Sequence, residues 1–218
     1  MNNNNLKIKE TFVSALQNHQ KNNFKIAENL YKEILKTKPN HFESVFYLGA
    51  LLVQTKNFDQ AQQLLQQAIK IQPNFVAAYN NLGIVFKELG EHKKAMSHFQ
   101  KAIKIQPNFE NAHYNLGVAF EQLNEFQKAI GCYEKAIQIN PNYAAAFNNL
   151  GKIFEELDHV NEAKKYFEKS LNLDPNREKT CEDYGNILLK LNQHIKALAY
   201  LRKGTGFIKF TQKDFKII

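Results

Sequence analysis

The chain has 218 residues, of which 44% are hydrophobic and 23% charged, with a net charge of +8. That apolar fraction is too high for a disordered chain, and no stretch approaches the roughly 18 uninterrupted apolar residues of a membrane span. The start, with asparagine at positions 2–5, lacks the apolar core of a secretory signal. Cys132 and Cys181 lie far apart without companions at metal-ligand spacing, which excludes a disulfide framework or zinc knuckle and predicts a reducing, cytoplasmic setting.

In chain order, residues 1–5 read as a disordered Asn-rich start, and a repeat array follows over 6–211. Its period is set by Pro39, Pro73, Pro107, Pro141 and Pro175, each 34 residues after the last. The units are 8–41, 42–75, 76–109, 110–143, 144–177 and 178–211. Gly49, Gly83, Gly117, Gly151 and Gly185 keep the period, as do Leu48, Leu82, Leu116 and Leu150. Ala27, Ala61, Ala95, Ala129, Ala163 and Ala197 keep it through every unit.

Within one unit the pattern is Tyr79-x-x-Leu82-Gly83-x-x-Phe86, then Ala95, Phe99, Ala102 and Pro107. This resembles the tetratricopeptide repeat, a helix–turn–helix unit. The next unit repeats it with His113, Leu116, Gly117, Phe120, Ala129 and Tyr133, and the one after with Phe147, Leu150, Gly151, Phe154, Ala163 and Phe167. The resemblance implies an all-α fold, a right-handed α-solenoid of antiparallel helix pairs forming a superhelix.

The residue types suit that architecture. Small residues at the eighth and twentieth positions let the two helices of a unit approach closely. Aromatic pairs such as Phe86 with Phe99, Phe120 with Tyr133 and Phe154 with Phe167 are expected to fill the space beside them. One turn position holds Asn22, Gly90, Asn124, Asp158 and Asn192, types that tolerate a left-handed helix end, while Lys56 breaks the set. Each proline cannot extend the preceding helix and suits the first turn of the next.

The end units depart from the pattern, as a capped solenoid requires. The first has Thr11, Ser14 and Asn18 at consensus places, although Ile8, Phe12 and Leu16 still share a helix face. The sixth has Gly204 where alanine is expected and lacks the terminal proline. Gly204 and Gly206 are read as stopping the last helix. Residues 204–218 form an apolar tail with Phe207, Ile208, Phe210, Phe215, Ile217 and Ile218. The tail is expected to fold back over the open end of the solenoid; the alternatives are that it docks a partner or a second copy, or starts a domain that this chain does not contain.

No catalytic motif is present: neither a nucleophile elbow, nor His-Glu-x-x-His, nor a phosphate-binding loop. His92, His159 and His194 fall at turns, His113 takes an aromatic place, and the cysteines read as small packing residues. The chain is read as no enzyme, and no cofactor or metal is expected.

In the family, the first helices of successive units line a concave groove. The resemblance places Phe46 and Tyr47, Asn80, Asn81 and Lys87, Asn111, Tyr114 and Asn115, and Asn148, Asn149 and Lys152 on it. An amide offers donor and acceptor together, so a ladder of asparagines matches the backbone of an extended peptide without reading its side chains. Asn81, Asn115 and Asn149 resemble the asparagine ladder in the repeat arm of protein O-linked N-acetylglucosaminyltransferase, whereas Tyr47 and Asp183 depart from it. The other reading of these asparagines is architectural, through hydrogen bonds between helices. Glu88, Glu121, Glu155 and Glu156 accompany Lys87 and Lys152, which argues against a basic clamp for a C-terminal carboxylate.

Charge divides unevenly: residues 1–41 carry +4 and 76–109 carry +3, whereas 110–177 is slightly acidic. A nucleic-acid solenoid would carry a continuous basic face, so no nucleic-acid partner is expected, RNA remaining the alternative, and no membrane partner either. The function expected is a noncatalytic scaffold that binds extended peptide segments of other proteins. The alternative is the recruiting arm of a glycosyltransferase or oxygenase whose catalytic domain lies elsewhere.

Overall fold

The computed structural model describes the backbone of residues 3–206, 209–210 and 215–216, with side chains from Asn4 to Gly206. The chain divides into two compact units, Met1–Ala119 and Phe120–Ile218.

The first unit stacks helical pairs: α1 (Asn3–Gln20) with α2 (Phe24–Thr37), α3 (Phe42–Gln54) with α4 (Phe58–Ile71), and α5 (Val76–Glu88) with α6 (His92–Ile105). It ends within α7 (Glu110–Glu121). Helix α3 also packs against α1 and α5, so the first helices of successive pairs are neighbours. Helix α1 begins at Asn3, so most of the Asn-rich start expected to be disordered is the helix's first turn.

The second unit contains α8 (Phe126–Ile139), then the pairs α9 (Ala144–Glu156) with α10 (Val160–Leu173) and α11 (Glu178–Lys190) with α12 (His194–Thr205). Helix α11 packs on α10 and also touches α9. Beyond α12, two short strands, β1 (Lys209–Phe210) and β2 (Phe215–Lys216), pair antiparallel with Phe210 opposite Phe215. The expected covering of an open end by the tail rests on side chains outside the described residues.

The turn inside each pair has one geometry. Asn22, Lys56, Asn124, Asp158 and Asn192 have φ between 57° and 61°, and Gly90 has φ 75°. The amide after this residue donates to a carbonyl five residues back: Asn57 to Leu52, Glu91 to Phe86 and His159 to Phe154, each at 2.8 Å. This is a Schellman helix end, which satisfies carbonyls that the last turn leaves open. Lys56 is therefore no exception in structure. The repeat imposes the left-handed position even where a lysine must occupy it. The prolines lie in the turns between pairs, before each following first helix, and not inside a helical turn.

The alanines of the twentieth position are all fully buried. Opposite them the helix crossing is tight. A Cβ on Gly83 would stand 2.5 Å from Phe99 Cε1, and one on Gly151 2.7 Å from Phe167 Cδ1. The rings of Phe99 and Phe167 thus cover glycine. Phe86 and Phe154 stack one residue earlier than expected, on His98 at 5.2 Å and Tyr166 at 5.1 Å. Burial lowers the His98 pKa, which favours the neutral ring that stacks there.

Gly204 differs from its expected role as a helix stop. It lies inside α12, and only Gly206, at φ 75°, caps the helix. Helix α12 crosses the backbone of α11 at Gly204 more closely than an alanine permits.

Candidate functional site

Side chains at the fifth, sixth, ninth, twelfth and thirteenth positions of each first helix lie on one helical face. The adjacency of α1, α3 and α5, and of α9 and α11, joins those faces within each unit. The fourth position turns toward the preceding turn instead. Tyr79 donates to the Pro73 carbonyl at 3.0 Å, His113 Nε2 lies 2.9 Å from the Pro107 carbonyl, and the Cys181 thiol lies 3.7 Å from the Pro175 carbonyl. His113 and Cys181 thus brace turns.

In the first unit, Phe46 is core: its ring meets Phe75 at 4.7 Å and Tyr47 at 5.2 Å. Tyr47 is half-buried and stacks toward Tyr31 at 6.4 Å. Asn80 is buried, and its Oδ1 accepts from Asn115 Nδ2 at 2.9 Å. Lys87 is held 2.9 Å from Glu88. Asn111 and Tyr114 are half-buried and each engaged within the protein. Asn81 is half-buried, and its amide has no hydrogen-bond partner among the described residues.

In the second unit the asparagines belong to a continuous chain of hydrogen bonds. Thr180 donates to Asn148 Oδ1 at 2.7 Å, Asn148 to Asn149 at 3.3 Å, and Asn149 to the Tyr133 hydroxyl at 3.1 Å. Tyr133 in turn donates to Glu121. Asn148 and Tyr133 are buried, so these bonds satisfy groups that bulk water does not reach.

The same face is crossed by ion pairs, Lys190 with Glu155 at 2.8 Å and Lys152 with Asp183 at 4.0 Å. Asp183 takes the place that asparagine holds in the three preceding repeats. It is buried, and its Oδ2 accepts no hydrogen bond among the described residues. Burial raises its pKa, against the lowering pull of Lys179 and Lys152. Burial pushes the Cys132 thiol up to about 11, which disfavours its thiolate form at neutral pH.

The sequence-predicted residues therefore separate by role. Phe46, Asn80, Asn115, Asn148 and Asn149 are bound into the architecture, and Lys87 and Lys152 into ion pairs, while Tyr47 and Asn81 remain accessible. The residue pattern did not single out a further element of the first unit: an open pocket of about 430 Å³ beside Tyr47, lined also by Leu16, His19, Gln20, Ala50 and Gln54. Its signal lay in Leu16, His19 and Gln20, which occupy groove positions of the degenerate first repeat.

Stacked helical pairs in a 34-residue period, each with a Schellman turn between its two helices, define an α-solenoid repeat protein. The chain belongs to the tetratricopeptide repeat family: tetratricopeptide repeat models match residues 19–82, 110–143 and 144–177, and a TPR repeat model matches 84–124. No curated protein matches the chain. Among solved structures it is similar to MamA, with 29% identity and a TM-score of 0.64 over 76% of this chain and 96% of that one. It is similar in fold to Pseudomonas aeruginosa PilF, with 14% identity and a TM-score of 0.79 over 91% of this chain and 90% of that one. YrrB, described as a TPR protein with an unusual peptide-binding site, shares 19% identity with a TM-score of 0.59 over 81% of this chain and 91% of that one. No helix among the described residues is long and apolar enough to cross a membrane.

Proposed function

We propose that the protein is a noncatalytic interaction module that binds extended peptide segments of other proteins on the first-helix face of its first unit. The observation that carries this reading is Asn81. Asn80, Asn115, Asn148 and Asn149 all direct their amides to other side chains, whereas the Asn81 amide has no partner among the described residues and keeps access to solvent. An amide in that state can exchange a donor and an acceptor with the backbone of an extended segment. The peptide-binding site described for YrrB, which shares the fold, supports the same reading.

The test is selection of random peptides from a display library on the full chain, followed by affinity measurement on wild type and Asn81→Ala. The variant is expected to weaken selected peptides roughly fivefold to tenfold, the worth of a hydrogen bond that loses one partner. Failure to enrich any peptide would remove the reading.

A further inference from the structure

Tyr31 and Tyr133 occupy the same place in the second helices of the first and fourth repeats, and both are fully buried. The Tyr133 hydroxyl is satisfied twice, donating to Glu121 at the twelfth position of its own repeat and accepting from Asn149 at the sixth position of the next. The corresponding residues around Tyr31 are His19 and Tyr47. They stand close, with ring centroids 6.2 Å and 6.4 Å from that of Tyr31, yet the Tyr31 hydroxyl has no hydrogen-bond partner among the described residues. Burial pushes its pKa up to about 12, so it stays a protonated donor.

His19 and Tyr47 are also two walls of the pocket on the first-helix face. Repeat geometry carries the Tyr31 hydroxyl toward that wall, as it carries Tyr133 toward Glu121 and Asn149. Tyr31 itself is fully buried behind them, so a bound group would reach its hydroxyl only if the His19 or Tyr47 side chain swung aside, a rotamer change of the kind common at interfaces. The pocket lining contains no lysine, arginine, aspartate or glutamate. Its polar side chains are neutral amides, a tyrosine hydroxyl and an imidazole, with His19 Nε2 and Gln54 Oε1 3.2 Å apart.

We propose that this pocket is a side-chain subsite of the peptide-binding face and takes a neutral carboxamide, the side chain of glutamine or asparagine in the bound segment. The inference rests on the peptide-binding reading. The chemistry decides among side chains. A carboxylate would lose its hydration without a lysine or arginine to face it, and an ammonium would find no carboxylate. An aliphatic chain would leave the tyrosine hydroxyls as they are. A carboxamide presents an oxygen to the hydroxyl donors and an NH2 to the hydroxyl and amide oxygens, in a space whose Leu16 and Ala50 accommodate its methylenes.

The experiment uses the same peptide library on the full chain and on Tyr31→Phe, with Gln54→Leu as a second variant from another wall. One peptide position is expected to enrich in glutamine or asparagine on wild type. Changing that residue to glutamate or leucine should weaken binding about fivefold to tenfold. Tyr31→Phe should erase the preference while still binding the leucine peptide as wild type does, and Gln54→Leu should reduce it. Peptides that bind without an amide preference, or a preference that survives both variants, overturn the subsite and leave the peptide-binding reading standing. A library that yields no binder removes both.

Discussion

A Cβ on Gly204 would stand 2.6 Å from the Glu182 nitrogen and 2.7 Å from the Glu178 carbonyl oxygen, both backbone atoms of the facing helix. Glycine there serves close approach. A helix-interior glycine replaced by alanine ordinarily gains about 1 kcal/mol. Here the contact is with backbone that cannot rotate aside, so Gly204→Ala is expected to lower stability by about 1–3 kcal/mol. Urea unfolding monitored by circular dichroism checks the sign, and a stabilised variant would restore the helix-stop reading.

The pair of glycines in the first unit separates rigid from yielding neighbours. A Cβ on Gly83 would stand 2.5 Å from the Phe99 ring, whereas one on Gly49 would stand 3.1 Å from the more flexible Leu65 side chain. Gly83→Ala should therefore destabilise by about 1–3 kcal/mol, and Gly49→Ala by distinctly less. Thermal melts of the two variants side by side test the order.

Asn115→Ala distinguishes an amide offered to a ligand from one bound into the fold. Its loss leaves the buried Asn80 Oδ1 without its donor, at a cost of about 1–3 kcal/mol. Asn81→Ala, with no such bond to break, should leave stability within about 0.5 kcal/mol of wild type. Equal melting of the two variants would contradict this division.

Asp183 contributes a pH dependence. Its folded pKa is raised by burial, so between the unfolded value and the folded one the folded chain retains a proton that the unfolded chain has lost. Stability then falls as pH rises through that window, and the ionised carboxylate is unfavourable at neutral pH. Asp183→Asn should raise the melting midpoint at pH 7, with the advantage fading as pH drops toward the ordinary value of 3.8. An unchanged midpoint at pH 7 would show that Lys179 and Lys152 offset the burial.

Lys56 holds φ 60° without the local compensation that asparagine or glycine brings. Lys56→Gly is expected to stabilise the first unit by about 1 kcal/mol. Chemical denaturation would register it, and a loss of stability would mean that the lysine side chain contributes something that its backbone geometry does not reveal.

Much of the fold was written in the order of residues. The proline period marks the pairs, the buried alanines mark the crossings, and the turn asparagines mark the left-handed positions, because each depends on backbone sterics that act within a few residues. Lys56 shows the limit of reading residue types alone: the Schellman bonds around it form from backbone groups, so the turn survives an unfavourable side chain. What the period does not reveal is which polar groups are already satisfied. Asn81 and Asn115 occupy one repeat position, and so do Tyr31 and Tyr133, yet one member of each pair is bonded and the other has no hydrogen-bond partner among the described residues. The partner of each lies on a different helix, often in the next repeat, and a hydrogen bond depends on donor and acceptor meeting at about 3 Å. That meeting is decided by tertiary packing, which places unlike neighbours around like residues.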